Sequence, residues 1–201
     1  MSPIERETKL VIAPGDYESL LRDGEIQDRR DQLNIYLLDP ARLREELGYL
    51  RVRFESGRVP VATLKIPIGW SEGTREMLEL ERPLSEFGPQ LCPRPRRWVT
   101  LDALGPEEFV DHYRSQGITR LRRMGWMRNL RSVIELAQGV GTVEVDRTVL
   151  PNGVVHHEVE VEHPVVEKHR ELTAIVKALA PSAVVTREGK LSRFLSALPI
   201  H

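Results

Sequence analysis

Six segments of the chain alternate charged and apolar side chains with a period of two, and this pattern restricts the fold more than any other feature. In IERETKLVI, Glu5, Glu7 and Lys9 share one strand face while Ile4, Arg6, Thr8, Leu10 and Ile12 take the other. In LRVRFES, Arg51 and Arg53 oppose Val52 and Phe54, and in VATLKIP, Thr63 and Lys65 oppose Ala62, Leu64 and Ile66. TREMLELER puts Arg75, Glu79 and Glu81 in one parity. TVEVDRTVL sets Glu144 and Asp146 against Val143 and Val145, and HHEVEVEH sets Glu158, Glu160 and Glu162 against Val159 and Val161. Each such strand has one apolar face to bury and one ionic face to account for.

On a single strand the ionic row reads as a solvated surface that protects a sheet edge. Carboxylates at i and i+2 lie about 7 Å apart and repel by about 2 kcal/mol at an effective dielectric of about 20, which solvent screens. The LPNG turn removes that simple reading. A two-residue Asn152-Gly153 turn would set Asp146 opposite Val159 and mix the two faces. A three-residue loop, with Pro151 and Asn152 central in a type I turn and Gly153 left-handed, sets Asp146 opposite Glu158 and Glu144 opposite Glu160. Directly opposed side chains lie about 5 Å apart, where like charges destabilise.

Carboxylates crowded in this way need protons, basic partners or a cation. A hard divalent ion such as Mg²⁺ or Mn²⁺ takes oxygen ligands, and arginine forks and lysine ammoniums match phosphate oxygens. An acidic set beside a basic set on one face of a β structure is what a metal-bound polyphosphate site requires. Closing the sheet into a barrel turns those faces inward and leaves apolar outer faces for helices to cover.

Composition narrows the class. With 201 residues, 40% hydrophobic and 29% charged, the chain is expected to form one domain over residues 1–201, with no repeat and no linker. A net charge of −1 offers no global field for nucleic acid or an anionic membrane. The single cysteine, Cys92, excludes an internal disulfide and fits a reducing compartment. No signal-like start and no apolar run of about 18 residues occurs, so a cytoplasmic location is expected.

Helices are expected over about 16–23, 40–47, 106–116 and 164–179, with Asp39 capping the second and Gly48 ending it. The stretch from Pro83 to Thr100 reads as a long surface loop whose arginines are solvated. Gly139 and Gly141 read as a hairpin, and Arg120, Arg122 and Arg123 as caps on the preceding helix. His156 shares the parity of Glu158, whereas His157 and His163 lie on the other face; His112, His169 and His201 read as surface residues.

Taken together, Glu5-x-Glu7-x-Lys9, QLNIYLLD (32–39), LRVR (50–53), TLK (63–65), VEVD (143–146), EVEVE (158–162) and KLSRF (190–194) resemble the CYTH superfamily, the triphosphate tunnel metalloenzymes. The resemblance implies an α+β, mainly β protein: an eight-stranded antiparallel β barrel, or tunnel, with a polar lumen, flanked by helices. It implies a metal set of Glu5, Glu7, Asp146, Glu158 and Glu160. It implies phosphate contacts from Lys9, Arg51, Arg53, Lys65, Arg131, Lys190 and Arg193. Arg131 is chosen over Arg128 because it shares parity with Glu135, which the QGVG hairpin would place opposite Glu144. Asp39-Pro40 departs from the Asp-Thr often found after the aromatic strand, and Asp39 stays outside the set.

The implied activity is divalent-metal-dependent hydrolysis of the terminal phosphoanhydride of inorganic triphosphate or a small organic triphosphate, with no nucleic-acid partner and no membrane. Two alternatives share the tunnel: a class IV type adenylyl cyclase and a non-catalytic polyphosphate-binding or nucleotide-binding module. An exposed apolar barrel wall would favour a homodimer.

Overall fold

The computed structural model describes residues 4–40, 48–71, 74–87, 98–136 and 140–198. Among these, the strands are β1 (Ile4–Val11), β2 (Glu25–Leu38), β3 (Tyr49–Glu55), β4 (Val61–Ser71), β5 (Thr74–Pro83), β6 (Trp98–Thr100), β7 (Arg120–Leu136), β8 (Gly141–Val149), β9 (Val155–Glu162) and β10 (Val184–Thr186). The α-helices are α1 (Pro14–Asp23), α2 (Glu107–Ser115), α3 (Val166–Leu179) and α4 (Lys190–Ser196). The fold is α+β and mainly β. No helix among the described residues is long and apolar enough to cross a membrane.

Antiparallel ladders run in the order β1-β5-β4-β3-β2-β7-β8-β9, and β9 bonds back to β1. The eight strands thus follow one another around a common interior. Their seam is staggered rather than a uniform cylinder, because β1 meets β5 over Ile4–Glu7 and β9 over Glu7–Val11, and the two ladders overlap at Glu7 alone. β10 continues beside Lys9–Val11, and β6 lies beside the start of β7.

The β8–β9 hairpin has the three-residue loop that its sequence demands. Asp146 pairs with Glu158 and Glu144 with Glu160; Leu150 and Val154 close the loop by a backbone bond, and Gly153 adopts φ +83°. In the β7–β8 pair the parity is as expected but the register differs: Glu135 faces Thr142 and Val133 faces Glu144, which leaves Arg131 opposite Asp146. A strand's side chains repeat every two residues, so an even shift moves neighbours along the strand without moving them to the other face.

Period-two alternation puts the apolar residues outside, where helices bury them. Over β2, β3 and β4, α2 supplies Phe109, Val110 and Tyr113 to a core with Leu37, Leu50, Val52, Ala62 and Leu64. Over β1, β8 and β9, α1 and α3 supply Tyr17, Leu20, Leu172 and Val176 to a core with Leu10, Val145, Val159 and Val161. Burying one such side chain contributes roughly 1.5–3 kcal/mol.

A third core lies on the inner face. Tyr36 and Leu38 of β2 and Met127 of β7 continue the lumen-facing positions of those strands, and Leu150 follows in line from β8; all pack on Leu191 and Phe194 of α4. One end of the interior is therefore filled by apolar side chains from α4, where the sequence had led us to expect helices only on the outer wall. Gly125 makes this packing fit: its φ is +149°, and a Cβ there would lie 3.1 Å from the Phe194 ring.

Several other expectations change. Arg120, Arg122 and Arg123 belong to β7 rather than to a helix end, and Arg120 stacks over the Trp98 ring at 4.2 Å. His169 is buried on α3 rather than exposed. The stretch from Pro83 to Thr100 is not all surface loop, since Phe87 and Val99 are buried and 98–100 form β6. The helix expected over 40–47 lies almost wholly outside the described residues, as do Cys92, Gly139 and His201.

Candidate active site

Next to the end that α4 fills, the interior is a cavity of about 180 Å³ lined by Glu7, Lys9, Arg30, Gln32, Asn34, Tyr36, Tyr49, Arg51, Arg53, Lys65, Glu79, Glu81, Asn129, Arg131, Glu144, Glu160, Glu162, Gly189 and Lys190. Asp146, Glu158 and Arg193 stand behind this lining, each almost fully buried. The structure thus gathers Glu7, Asp146, Glu158, Glu160 and all seven expected basic residues, Lys9, Arg51, Arg53, Lys65, Arg131, Lys190 and Arg193, in or against one cavity. Glu5 lies in β1 opposite Met77, and its side chain is outside the described residues.

Carboxylates concentrate on β8 and β9 and are met by bases from three other elements. Arg131 forks onto Asp146, with Nε 2.9 Å from Oδ1 and Nη2 2.7 Å from Oδ2, and it also reaches Glu160 at 2.5 Å and contacts Glu144. Lys190 Nζ lies 2.6 Å from Asp146 Oδ2 and 2.7 Å from Glu160 Oε1, and touches Glu158. Lys9 Nζ is 2.9 Å from Glu7 Oε2 and touches Glu160; Arg193 pairs with Glu158.

These pairs set the ionisation of the cavity. Burial alone would raise the Asp146, Glu160 and Glu7 carboxyls, but nearby cations outweigh it: Arg131 and Lys190 at Asp146, Lys190 and Lys9 at Glu160, Lys9 and Lys65 at Glu7. All three are held below the usual carboxylate range. Glu144 goes the other way, raised by burial and by Glu160 and Asp146 despite Arg131.

The β3 wall is different. Arg51 forms no ion pair among the described residues; its Nη2 lies 3.5 Å from Thr63 Oγ1, and its buried Nε has no hydrogen-bond partner there. Arg53 Nε donates to Asn34 Oδ1 at 3.2 Å, and Nη1 lies 3.6 Å from Glu55. Burial and the adjacent Arg51 and Arg131 push the Arg53 guanidinium down to about 10. One wall is therefore rich in anions already paired, and the facing wall carries cations that are weakly paired.

Between the walls runs a neutral belt. Asn129 Nδ2 donates to Gln32 Oε1 and to Asp146 Oδ1, both at 3.0 Å; Thr148 Oγ1 donates to Asn129 Oδ1 at 2.8 Å; and Gln32 Nε2 donates to Glu55 at 2.7 Å. Sequence reasoning missed Gln32, Asn34, Asn129 and Arg30, and Glu79, which pairs with Lys65. Strand parity with Arg131 was the one signal available for Asn129. His156 pairs across from Thr148 and is not among the cavity residues, and His157 packs its ring against Tyr17 at a tilt on the outside.

Among the described residues, two groups of acids are close enough to share an ion, Asp146 with Glu158 and Glu160, and Glu7 with Glu160 and Glu162; within each group one oxygen per residue lies within 4.8 Å of the others. The donors are carboxylate oxygens throughout, which suits a hard divalent cation and not a thiolate-seeking or imidazole-seeking one.

The class defined by this geometry is an antiparallel β protein whose interior carries a buried cluster of acids and bases. Residues 3–195 match the family model of the CYTH domain, and the chain belongs to that family. Its fold is similar to that of a Hippeastrum protein proposed as an adenylyl cyclase and described as having a dominant triphosphatase activity, at 22% identity and TM-score 0.78 over 98% of this chain and 97% of that one. It is also similar to a protein from Bacillus halodurans proposed as an adenylate cyclase, at 23% identity and TM-score 0.70 over 96% and 98% of the two chains. A Pyrococcus horikoshii protein follows at 18% identity and TM-score 0.61, with 96% and 98% covered. At these identities the likeness is one of fold. No curated protein matches the chain by sequence.

Proposed function

We propose that this protein is a divalent-metal-dependent triphosphatase that cleaves the terminal phosphoanhydride of inorganic triphosphate or a small organic triphosphate. The observation that carries this reading is the asymmetry of the cavity: the weakly paired Arg51 and Arg53 on β3 face the clustered carboxylates of β8 and β9. Membership of the CYTH family and the triphosphatase activity described for the Hippeastrum protein support it.

Asp146, Glu158, Glu160 and Glu7, with Glu5 added from the sequence, would hold Mg²⁺ or Mn²⁺, and the bound ion would supply Lewis-acid polarisation of phosphoryl oxygens. Arg51, Arg53 and Lys65 bind non-bridging phosphate oxygens and neutralise charge as it shifts toward the leaving group. Lys9, Arg131 and Lys190 complete the cationic lining, and Arg193 stands behind it on Glu158. Water forms the new P–O bond in line as the bridging P–O bond breaks, releasing orthophosphate and, from inorganic triphosphate, pyrophosphate. Catalysis here is positioning and charge stabilisation, which the buried lumen strengthens by excluding solvent.

Purified protein supplied with triphosphate, thiamine triphosphate or ATP, each with Mg²⁺ or Mn²⁺, tests the proposal. Orthophosphate from triphosphate is expected, abolished by a chelator and by Glu160→Gln. Cyclic AMP and pyrophosphate as the main products from ATP would make the protein a cyclase. Intact substrates, with triphosphate merely raising Tm, would make it a binding module.

A further inference from the structure

Two lysines stand among the acidic groups described above. Lys190 Nζ contacts every member of one group, 2.6 Å from Asp146 Oδ2, 2.7 Å from Glu160 Oε1 and against Glu158. Lys9 Nζ contacts two members of the other, 2.9 Å from Glu7 Oε2 and against Glu160. A small divalent ion takes its oxygens at about 2.1 Å. An ion on the Asp146, Glu158 and Glu160 oxygens would overlap the Lys190 ammonium, so the two cannot be held there together.

We infer that Lys190, and to a lesser extent Lys9, compete with divalent metal for these carboxylates, so that the protein binds metal and triphosphate as a coupled pair and binds free metal weakly. This rests on the function proposed above. A displaced ammonium needs an anion, and both side chains line the same cavity as Arg51 and Arg53. The polyphosphate that those arginines attract is the anion that can receive it. Metal therefore lowers the cost of binding triphosphate, and triphosphate lowers the cost of binding metal by the same factor. The swing is confined to the start of α4, because Phe194 and Leu191 anchor the helix in the inner core. Lys190 thereby changes partner without the apolar end of the interior opening.

The test is Mn²⁺ binding to the full chain in the absence of any phosphate, followed by electron paramagnetic resonance and by calorimetry. Lys190→Met removes the competing charge and keeps the stem, and it should bind Mn²⁺ at least about tenfold tighter than the natural protein, a change of about 1.4 kcal/mol. Lys9→Met should show a smaller gain. The same Lys190→Met should bind inorganic triphosphate with Mn²⁺ less cooperatively. If Lys190→Met does not fold without metal, Lys190→Gln gives the same comparison, with an intermediate gain expected. Equal or weaker Mn²⁺ binding in a folded Lys190 variant would overturn the inference, as would tight Mn²⁺ binding by the natural protein that triphosphate leaves unchanged. No phosphate release from any triphosphate, beside tighter Mn²⁺ binding in Lys190→Met, would sink the hydrolase and leave the competition standing.

Discussion

On β8, Val143 and Val145 face outward into the core beneath α1 and α3, while Glu144 and Asp146, one residue along, face the lumen. The same backbone ladder carries both. The outer face is stabilised by apolar burial, which depends little on pH or ligand. The inner face is stabilised by a balance among buried charges, which any proton, metal or phosphate redistributes. The difference shows where this fold is unconditional and where it is conditional, and substitutions can separate the two.

The largest effect is expected at Arg131, which holds Asp146, Glu144 and Glu160 together. Arg131→Met should lose about 3–5 kcal/mol of stability, because it takes from three lumen carboxylates the guanidinium they share and leaves Lys190 and Lys9 to balance them. Added Mn²⁺ should restore part of that loss in a thermal melt. A melt that Mn²⁺ does not move would mean that these acids do not behave as a metal-binding set.

Leu64, fully buried in the outer core, supplies the contrast. Leu64→Ala should cost about 2–5 kcal/mol, with neither Mn²⁺ nor triphosphate restoring more than it adds to the natural protein. Recovery by ligand there would show that the two faces are coupled rather than independent.

Acid should divide them next. Glu7, Asp146 and Glu160 have folded values below their unfolded ones. Their stabilisation is therefore fully present above the unfolded carboxylate value of about 4 and is lost as pH falls below it toward the folded values. Glu144, shifted upward, opposes this: its ionised form costs stability at neutral pH, and the cost is relieved as pH falls through its raised value. Three against one gives a net loss, so Tm should drop as pH falls below about 4. Leu64→Ala should displace the curve of Tm against pH without changing its shape. A shape unchanged by lumen substitutions would count against the charge balance.

Much of this arrangement is legible in the sequence because period two is a strong signal when one face is ionic. The turn chemistry of Pro151, Asn152 and Gly153 fixes which acids oppose one another on β8 and β9, and the structure agrees. Parity identifies Arg131 as inward even with its register misplaced, since the slip was even. The neutral belt was barely legible: parity with Arg131 alone points Asn129 inward, and Gln32 and Asn34 are indistinguishable in sequence from polar residues facing water. Nor was the filled end of the interior, because a helix as short as α4 reveals no periodicity and its burial depends on Tyr36, Met127 and Gly125 from distant strands. His169 was misread for the same reason, its burial being decided by what α3 packs against.

The smallest effect should come from Arg128, three residues before Arg131 on the same strand. Odd spacing turns it outward, where it forks onto Asp31 at 3.2 and 2.8 Å with both side chains largely exposed. The geometry of its fork is almost that of Arg131 on Asp146. What differs is solvent: water screens the outer pair and would solvate Asp31 if the arginine were removed, so the pair adds little. Arg128→Met should leave Tm, Mn²⁺ response and phosphate release as they are in the natural protein. A loss comparable with that of Arg131→Met would mean that charge pairing itself, and not its burial in the lumen, governs both faces.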